Sequence, residues 1–422
     1  MNKICPVVGV DVAKEFCYYC GLAPTGKVYL DSFKAFNDEK GILLALKKIE
    51  EMEKAFNRKP VIVLESTGHY SNRLVHFFSK KEFEVYLVNP LQSHSIKNST
   101  IRKVKTDKMD AEELARLFFI KDLHRFKLSN EAIENLKILT RTASHLSEQR
   151  VAIVNQLVAA VEQVMPGYTK IFKNIASVTS LALLSHYSCP ENFLNASKED
   201  LVTLIKSTSR NSKEYAEKKY LLILKAAKEA MNIGVPLEAY YETIKIYTGN
   251  LLHINEQISR IDQKIKQLAI IIPELELLSS IPGIGPKLAP IILSEIGDIS
   301  RFKNAKQLVA YCGIDPSVRQ SGKFCATQNK FTKRGSPYIR KALYIASTVN
   351  IRKDKQGNLV NPVIHKYYQA KVETKSRKQA LGAVMNKLVR IIFSCLKNNS
   401  SFKLITPEEQ VAKFRSNFEV AA

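Results

Sequence analysis

The chain has 422 residues, 45% of them hydrophobic and 25% charged. That is enough for two or three domains with real cores, and too apolar for a disordered protein. Lys and Arg total 64 against 40 Asp and Glu, a net charge of +24. A surplus of that size repels itself unless a polyanion balances it, so nucleic acid is the first partner to consider and an anionic membrane surface the rival. Seven scattered cysteines, an odd number, speak against a secreted disulfide framework. No apolar run approaches the ~20 residues of a spanning helix. Asp11 and Lys14 interrupt the run Pro6-Val-Val-Gly-Val10, so no signal peptide is expected.

The first hundred residues read as α/β. Val7–Val10 is a short apolar strand ending at Asp11, and two further strands, Glu15–Leu22 and Lys27–Phe36, flank a turn at Ala23-Pro-Thr-Gly26. Cys17 and Cys20 form an isolated CxxC with no second pair, which is not expected to hold a metal. Asp38 caps a predicted helix whose Ile42, Leu43, Leu46, Ile49 and Met52 keep helical spacing. A strand over Pro60–Glu65, a helix over about Ser71–Lys80, a strand over Glu84–Val88 and a later helix complete the lobe. Three strands before any helix, then alternation, fit a ribonuclease H-like sheet better than a Rossmann unit.

From about Lys127 to Leu268 helical periods dominate. Leu139, Ala143, Leu146, Arg150, Ile153, Leu157 and Ala160 keep heptad spacing, as do Tyr247, Leu251, Ile254, Ile258, Ile261, Ile265 and Leu268. They predict a coiled-coil pair, or alternatively two helices of a bundle. Pro166–Pro236 between them is a mixed, partly polar insert with no assigned role. Beyond Pro273 lie a helix-like stretch through Leu308, a Gly-containing basic loop, a helix over about Pro337–Asn350, and a remainder to Ala422 that is basic, then mixed, and expected to fray at its end.

Two constellations carry chemistry. Asp11 and Glu65 end two strands that are neighbours in a ribonuclease H-like sheet. Asp107 and Asp110, three apart at a helix start, share a helix face and can point at the same sheet edge. Four gathered carboxylates repel one another unless a cation sits among them; two Mg²⁺ ions would suit such oxygens and would act on a scissile phosphate. The plainer alternatives are a turn residue for Asp11 and a capping pair for Asp107 and Asp110.

The second constellation is C-terminal. Ile281-Pro-Gly-Ile-Gly-Pro286 resembles a helix–hairpin–helix, in which Gly283 and Gly285 let backbone N–H groups approach phosphates and Lys287 opens the next helix; a simple tight turn between helices is the alternative. From Arg301 to Lys355 thirteen Lys and Arg, including Arg319, Lys323, Lys333, Arg334 and Arg340, face only Asp315 and Asp354, a deficit of acids that favours phosphate binding. Ser317, Ser321 and Ser336 lie within this stretch. Ser321, flanked by Arg319 and Lys323, is a candidate nucleophile, although a serine before glycine is ordinarily a turn residue.

Taken together, Gly9-Val-Asp-Val-Ala-Lys14, Leu64-Glu-Ser-Thr-Gly68, Lys105-Thr-Asp-Lys-Met-Asp-Ala111, Ile281–Pro286, Phe302–Ala310, Ser321-Gly322, Lys333-Arg-Gly335 and Tyr338-Ile-Arg340 resemble the transposases of the insertion-sequence one-ten family, the Piv-invertase-like DEDD-type recombinases. The resemblance covers the first 120 residues and roughly 275–350. It implies a RuvC-like catalytic domain over 1–125 using Asp11, Glu65, Asp107 and Asp110, a coiled-coil region with insert over 126–272, and a helical transposase domain over 273–422 with its serine nucleophile at Ser321. It further implies covalent phosphoserine chemistry on double-stranded DNA at element ends and target, a structured guide RNA, dimeric or tetrameric assembly with acids and serine from different chains, and work in the cytoplasm at the bacterial nucleoid, with no membrane. Lys323, where a second small residue is common, and the insert at about 165–245 depart from the family pattern. A RuvC-like metal-dependent nuclease or Holliday-junction resolvase would share the carboxylates and not need Ser321. An actin-like ATPase is disfavoured because Asp11-Val-Ala-Lys14 lacks a phosphate-cradling loop, and a non-catalytic binder would not need the acids.

Overall fold

The computed structural model describes residues 4–65, 70–88, 107–123, 125–126, 130–317, 320–321, 324–325, 330–405 and 409; the side chains of 107, 108, 320, 321, 324 and 325 are outside that description. The chain divides into two compact units, Met1–Ser129 and Asn130–Ala422.

The first unit is a five-stranded sheet covered by helices on both faces. Its strands are β1 (Val7–Val12), β2 (Phe16–Leu22), β3 (Val28–Phe36), β4 (Val61–Glu65) and β5 (Val85–Val88), in the spatial order β3-β2-β1-β4-β5. β1 pairs antiparallel with β2 and parallel with β4, in the register Val8↔Ile62, Gly9↔Val63 and Val10↔Leu64. Alternation decides the faces. Val8, Val10, Ile62 and Leu64 pack with α1 (Glu39–Phe56) and α2 (Tyr70–Lys80), while Val7, Val61 and Val63 pack with α3 (Asp107–Ile120). The Asp38 side chain caps α1 by accepting from the Gly41 N–H at 2.7 Å, and Asn57 ends it in a left-handed conformation at φ 46°. Cys17 and Cys20 fall in the two different cores and so sit on opposite faces of β2. They cannot grip one ion, and burial pushes each thiol up to about 11.

In the second unit, the heptad stretches form two long helices, α4 (Glu131–Val164) and α10 (Glu238–Ile270), each about 50 Å long. They run antiparallel: Arg150 Nε donates to Asn255 Oδ1 at 2.7 Å, and Val235 N–H donates to the Gln163 carbonyl at 2.8 Å. Leu157, Ala160, Leu251 and Ile254 of the seam are buried, whereas Leu139, Leu146, Ile258 and Ile261 are half-buried. The stretch that read as mixed and polar is helical: α5 (Tyr168–Ile171), α6 (Val178–His186), α7 (Pro190–Asn195), α8 (Lys198–Thr208) and α9 (Lys213–Ile233). Serine caps at 177, 197 and 212 start three of them, and Tyr168, Leu181, Phe193, Leu201 and Ile223 form their core with Leu157 and Leu251.

The rest of the unit packs α11 (Glu274–Ser279), α12 (Leu288–Ile296), α13 (Ala305–Tyr311), α14 (Pro337–Asn350), α15 (Pro362–Val372) and α16 (Arg377–Lys397) around a core. The basic remainder thus contains two helices through Lys397, and most of the end expected to fray lies outside the described residues. α16 is long and apolar enough by composition to cross a bilayer, yet its Val384, Leu388, Val389 and Ile392 are core residues. A part-buried ion pair joins this core to the foot of α4. Arg141 grips Glu295 with two hydrogen bonds, at 2.6 and 3.0 Å, and Glu295 is only 2% exposed. Burial alone would raise the Glu295 pKa. The Arg141 bonds, the Ser336 hydroxyl and the charges of Arg141 and Lys137 outweigh it and hold the carboxyl below its ordinary value. A carboxylate depressed on folding stabilises the native chain fully above its unfolded pKa of about 4.3, and that stability is lost as acid titrates the folded group. Glu295→Gln is therefore expected to cost about 1–2 kcal/mol near pH 7, with the gap to wild type closing below about pH 4; urea unfolding at several pH values checks it.

Candidate active site

Topology sets two of the N-terminal acids on neighbouring strands. Asp11 and Glu65 follow the paired positions Val10 and Leu64 on adjacent parallel strands. Both alternate onto the face that carries Val7, Val61 and Val63, the face covered by α3. α3 lies against β1 at backbone distance: a Cβ added to Gly9 would sit 2.0 Å from the Ala111 carbonyl oxygen and 2.6 Å from the Ala115 nitrogen. Val7 shares a core with Leu117 and Phe118 further along α3. The helix thus runs back along β1, with its first turn toward Asp11. Asp107 is its first residue, and Asp110, one turn on, is 7% exposed, while Glu65 of β4 is 9% exposed. The Asp107 side chain lies outside the described residues.

The donor set is oxygen only, which is the chemistry a hard divalent cation such as Mg²⁺ requires, so the residues fit the ion in kind. Among the described residues no three His, Cys, Asp or Glu side chains converge on one point. The loop after Asp11 is pinned by a residue the sequence did not single out. Asn37, at the end of β3, donates through Nδ2 to the carbonyls of Ala13 at 2.7 Å and Lys14 at 3.1 Å, and accepts from the Cys17 thiol at 3.0 Å. An asparagine after a strand reads locally as a turn; its bonds span more than twenty residues.

In the C-terminal region α11 and α12 flank a turn at 280–287, an arrangement that a helix–hairpin–helix and a simple tight turn share. Its glycines differ. Gly283 has φ +79°, and a Cβ there would meet Asn350 Nδ2 at 2.6 Å and the Ala346 oxygen at 2.9 Å, so this glycine is required by packing against α14. Around Gly285 a Cβ would meet nothing within 4 Å. Asn350 Nδ2 donates to the Pro282 carbonyl at 2.6 Å, and Asn361 Nδ2 donates to Asn350 Oδ1 at 3.0 Å. Lys287, the residue before α12, is exposed.

Ser321 ends β6 (Gln320–Ser321), which pairs with β7 (Phe324–Cys325) through Ser321↔Phe324. Nearer the start of this hairpin, Ser317 N–H donates to the Lys330 carbonyl at 2.8 Å, and Pro316 bridges Phe331. Phe331 is pinned in turn by α16, where a Cβ on Gly382 would meet its ring at 2.7 Å. What read as a loop is a hairpin with a fixed base. Arg319, Lys323 and the Ser321 side chain lie outside the described residues. Lys333 and Arg334 are exposed. Arg340 is half-buried and bonds through Nη1 to the carbonyls of Gly335 and Cys312, so it braces the Lys333–Gly335 turn. Ser336 caps α14, accepting from the Tyr338 N–H at 3.2 Å, and its hydroxyl also serves Glu295.

The Gly9 contact makes a sharp prediction. Gly9→Ala forces β1 and α3 apart and is expected to destabilise the chain by about 1–3 kcal/mol, seen as a lower midpoint in chemical unfolding and a loss of divalent-ion affinity.

Two family models match the chain. A DEDD-type IS110 model, described as Transposase, matches residues 8–166, and the model of the Transposase IS116/IS110/IS902 family matches residues 275–369. The chain is 25% identical to the pilin gene-inverting protein of Moraxella bovis over 94% of its own length and 97% of the relative's. It is 26% identical to the pilin gene-inverting protein of Moraxella lacunata over 81% of each. It is 22% identical to an uncharacterized 44.8 kDa protein of insertion element IS116 in Streptomyces clavuligerus, over 96% and 98%. Both models match in order along one chain and together span more than half of it: the protein belongs to the IS110/IS116 family of transposases, the DNA-recombining enzymes of insertion sequences.

Proposed function

We propose that the chain cuts and rejoins double-stranded DNA at the ends of an insertion sequence and at its target through a covalent phosphoserine. The observation that carries this reading is the pairing of β1 with β4 under α3, which sets positions 11 and 65 on the sheet face covered by the helix that begins at Asp107. In it the first unit is a RuvC-like nuclease fold, and Asp11, Glu65, Asp107 and Asp110 hold two Mg²⁺ ions. Bound there, the ions would neutralise charge on the attacking and leaving oxygens of a phosphodiester.

Ser321 is the nucleophile. Its Oγ forms a bond to phosphorus, the bond to a deoxyribose oxygen breaks, and the serine proton ends on that leaving oxygen. One phosphodiester replaces another, so the exchange is near-balanced and reverses onto a new strand end without ATP. Ser336 is engaged as a helix cap, and Ser317 sits at the hairpin's base. Lys333, Arg334, Lys287 and the Gly285 backbone, with Arg319 and Lys323, receive phosphates. Gly283 and Arg340 act by shaping that surface. The α4–α10 pair serves as a coiled coil through which copies assemble into a dimer or tetramer, and a structured guide RNA selects the DNA, in the cytoplasm at the bacterial nucleoid. Conserved family order and the net charge of +24 support a nucleic-acid assembly of this kind.

Ser321→Ala is expected to abolish both the covalent protein–DNA adduct and strand exchange, and Asp11→Asn to lower strand exchange by at least about a thousandfold; denaturing gels of labelled element-end DNA read both. A Ser321→Ala protein that still cuts DNA at the wild-type rate in Mg²⁺ would instead establish a metal-dependent nuclease or junction resolvase.

A further inference from the structure

We infer that the outer faces of α15 and α16 form a second phosphate-binding surface that grips double-stranded DNA flanking the hairpin site. The inference rests on the DNA-recombining reading above and extends it to a region with no assigned role. From Pro362 to Leu404 the sequence holds nine Lys and Arg, with Glu373 the lone acid. α16 itself contains no acid in 21 residues. Its apolar face is spent on the core, which leaves Lys378, Lys387 and Arg390 exposed, with Lys366 of α15 and Lys375 of the connecting turn.

Some helical cations elsewhere are interleaved with acids. Arg116 pairs with Glu112, Lys245 with Glu242 and Lys341 with Glu148, the ordinary way of interleaving charge on helices. Among the described residues no cation of α15 or α16 has an acid within ion-pair distance. Two of them are instead gathered: Lys371 Nζ of α15 and Lys387 Nζ of α16 lie 5.4 and 5.8 Å from the centroid of the same Tyr367 ring. Ring contacts at exposed sites return only about 0.5–1 kcal/mol each, and two ammonium groups held so repel one another. Arg377 and Lys378 also occupy the first turn of α16, where the helix dipole disfavours positive charge. Stability does not explain this placement; an external polyanion does.

Continuity with the hairpin favours DNA as that polyanion. Asn361, which caps α15, is tied through Asn350 to the Pro282 carbonyl of the hairpin. Hydrogen bonds thus link the start of the cationic face to the glycine turn, so a duplex bound at one can run onto the other. Contacts of this kind read backbone charge and not sequence.

The test is the salt dependence of duplex binding by the full chain, measured by fluorescence anisotropy between about 50 and 200 mM salt. Lys371→Gln/Lys387→Gln/Arg390→Gln is compared with Lys206→Gln/Lys218→Gln/Lys228→Gln, which removes the same charge from exposed positions of α8 and α9. The first variant is expected to lose roughly tenfold or more in affinity at low salt and to flatten the log K against log salt slope by up to about 0.9 for each phosphate released, with an unchanged unfolding midpoint. The second is expected to match wild type. Equal losses in both variants, an unchanged slope in the first, or a loss confined to structured RNA would overturn the inference while leaving Ser321 chemistry untouched. Wild-type protein that binds duplex without salt dependence would overturn the nucleic-acid reading itself.

Discussion

A helix pressed onto a strand at backbone distance organises the N-terminal unit. Gly9 is the only residue type that leaves room for the Ala111 carbonyl and the Ala115 amide above β1. With that contact made, α3 cannot slide or roll, and its first turn is held beside the end of β1. The parallel pairing of β1 and β4 does the rest, because positions 11 and 65 fall side by side on the same face. Acids separated by more than fifty residues in sequence thereby share one small region.

The C-terminal region meets a different demand. It must hold exposed cations and a serine hairpin in place although few of those groups stabilise the fold. It does so with buried polar contacts behind them: Arg141 on Glu295 at the foot of α4, Asn350 and Asn361 behind the glycine hairpin, and Arg340 behind Lys333 and Arg334. Buried ion pairs and amide bonds add little net stability compared with apolar packing, but they penalise alternative arrangements. The surface that would meet a polyanion is thus rigid without needing neutralising acids of its own.

Much of this was legible in the residues. Turn chemistry at Ala23-Pro-Thr-Gly26, the Asp38 cap and the apolar run Val7–Val10 mark elements that the structure contains within a residue or two, because short-range sterics set them. The neighbourhood of Asp11 and Glu65 followed from strand order. What periodicity could not show is contact: Gly9 reads as one glycine in a motif, and its need for closeness to Ala111 exists only once α3 has docked. Gly283 read as a backbone-exposing residue, yet its missing side chain makes room for Asn350. Arg340 read as a free cation, although its guanidinium braces two carbonyls. α15 and α16 were hidden by their own charge, even though Leu381, Val384, Met385, Leu388 and Ile392 keep helical spacing, since a run of lysines resembles a solvated tail.

Divalent-ion binding to the first unit's acids is the point on which the account stands most directly. Mn²⁺ titrated into the full-length protein and followed by electron paramagnetic resonance should show saturable binding that Asp11→Asn and Glu65→Gln each remove, while Cys17→Ser, on the opposite face of the neighbouring strand, leaves it intact. Identical Mn²⁺ binding by wild type, Asp11→Asn and Glu65→Gln would contradict it.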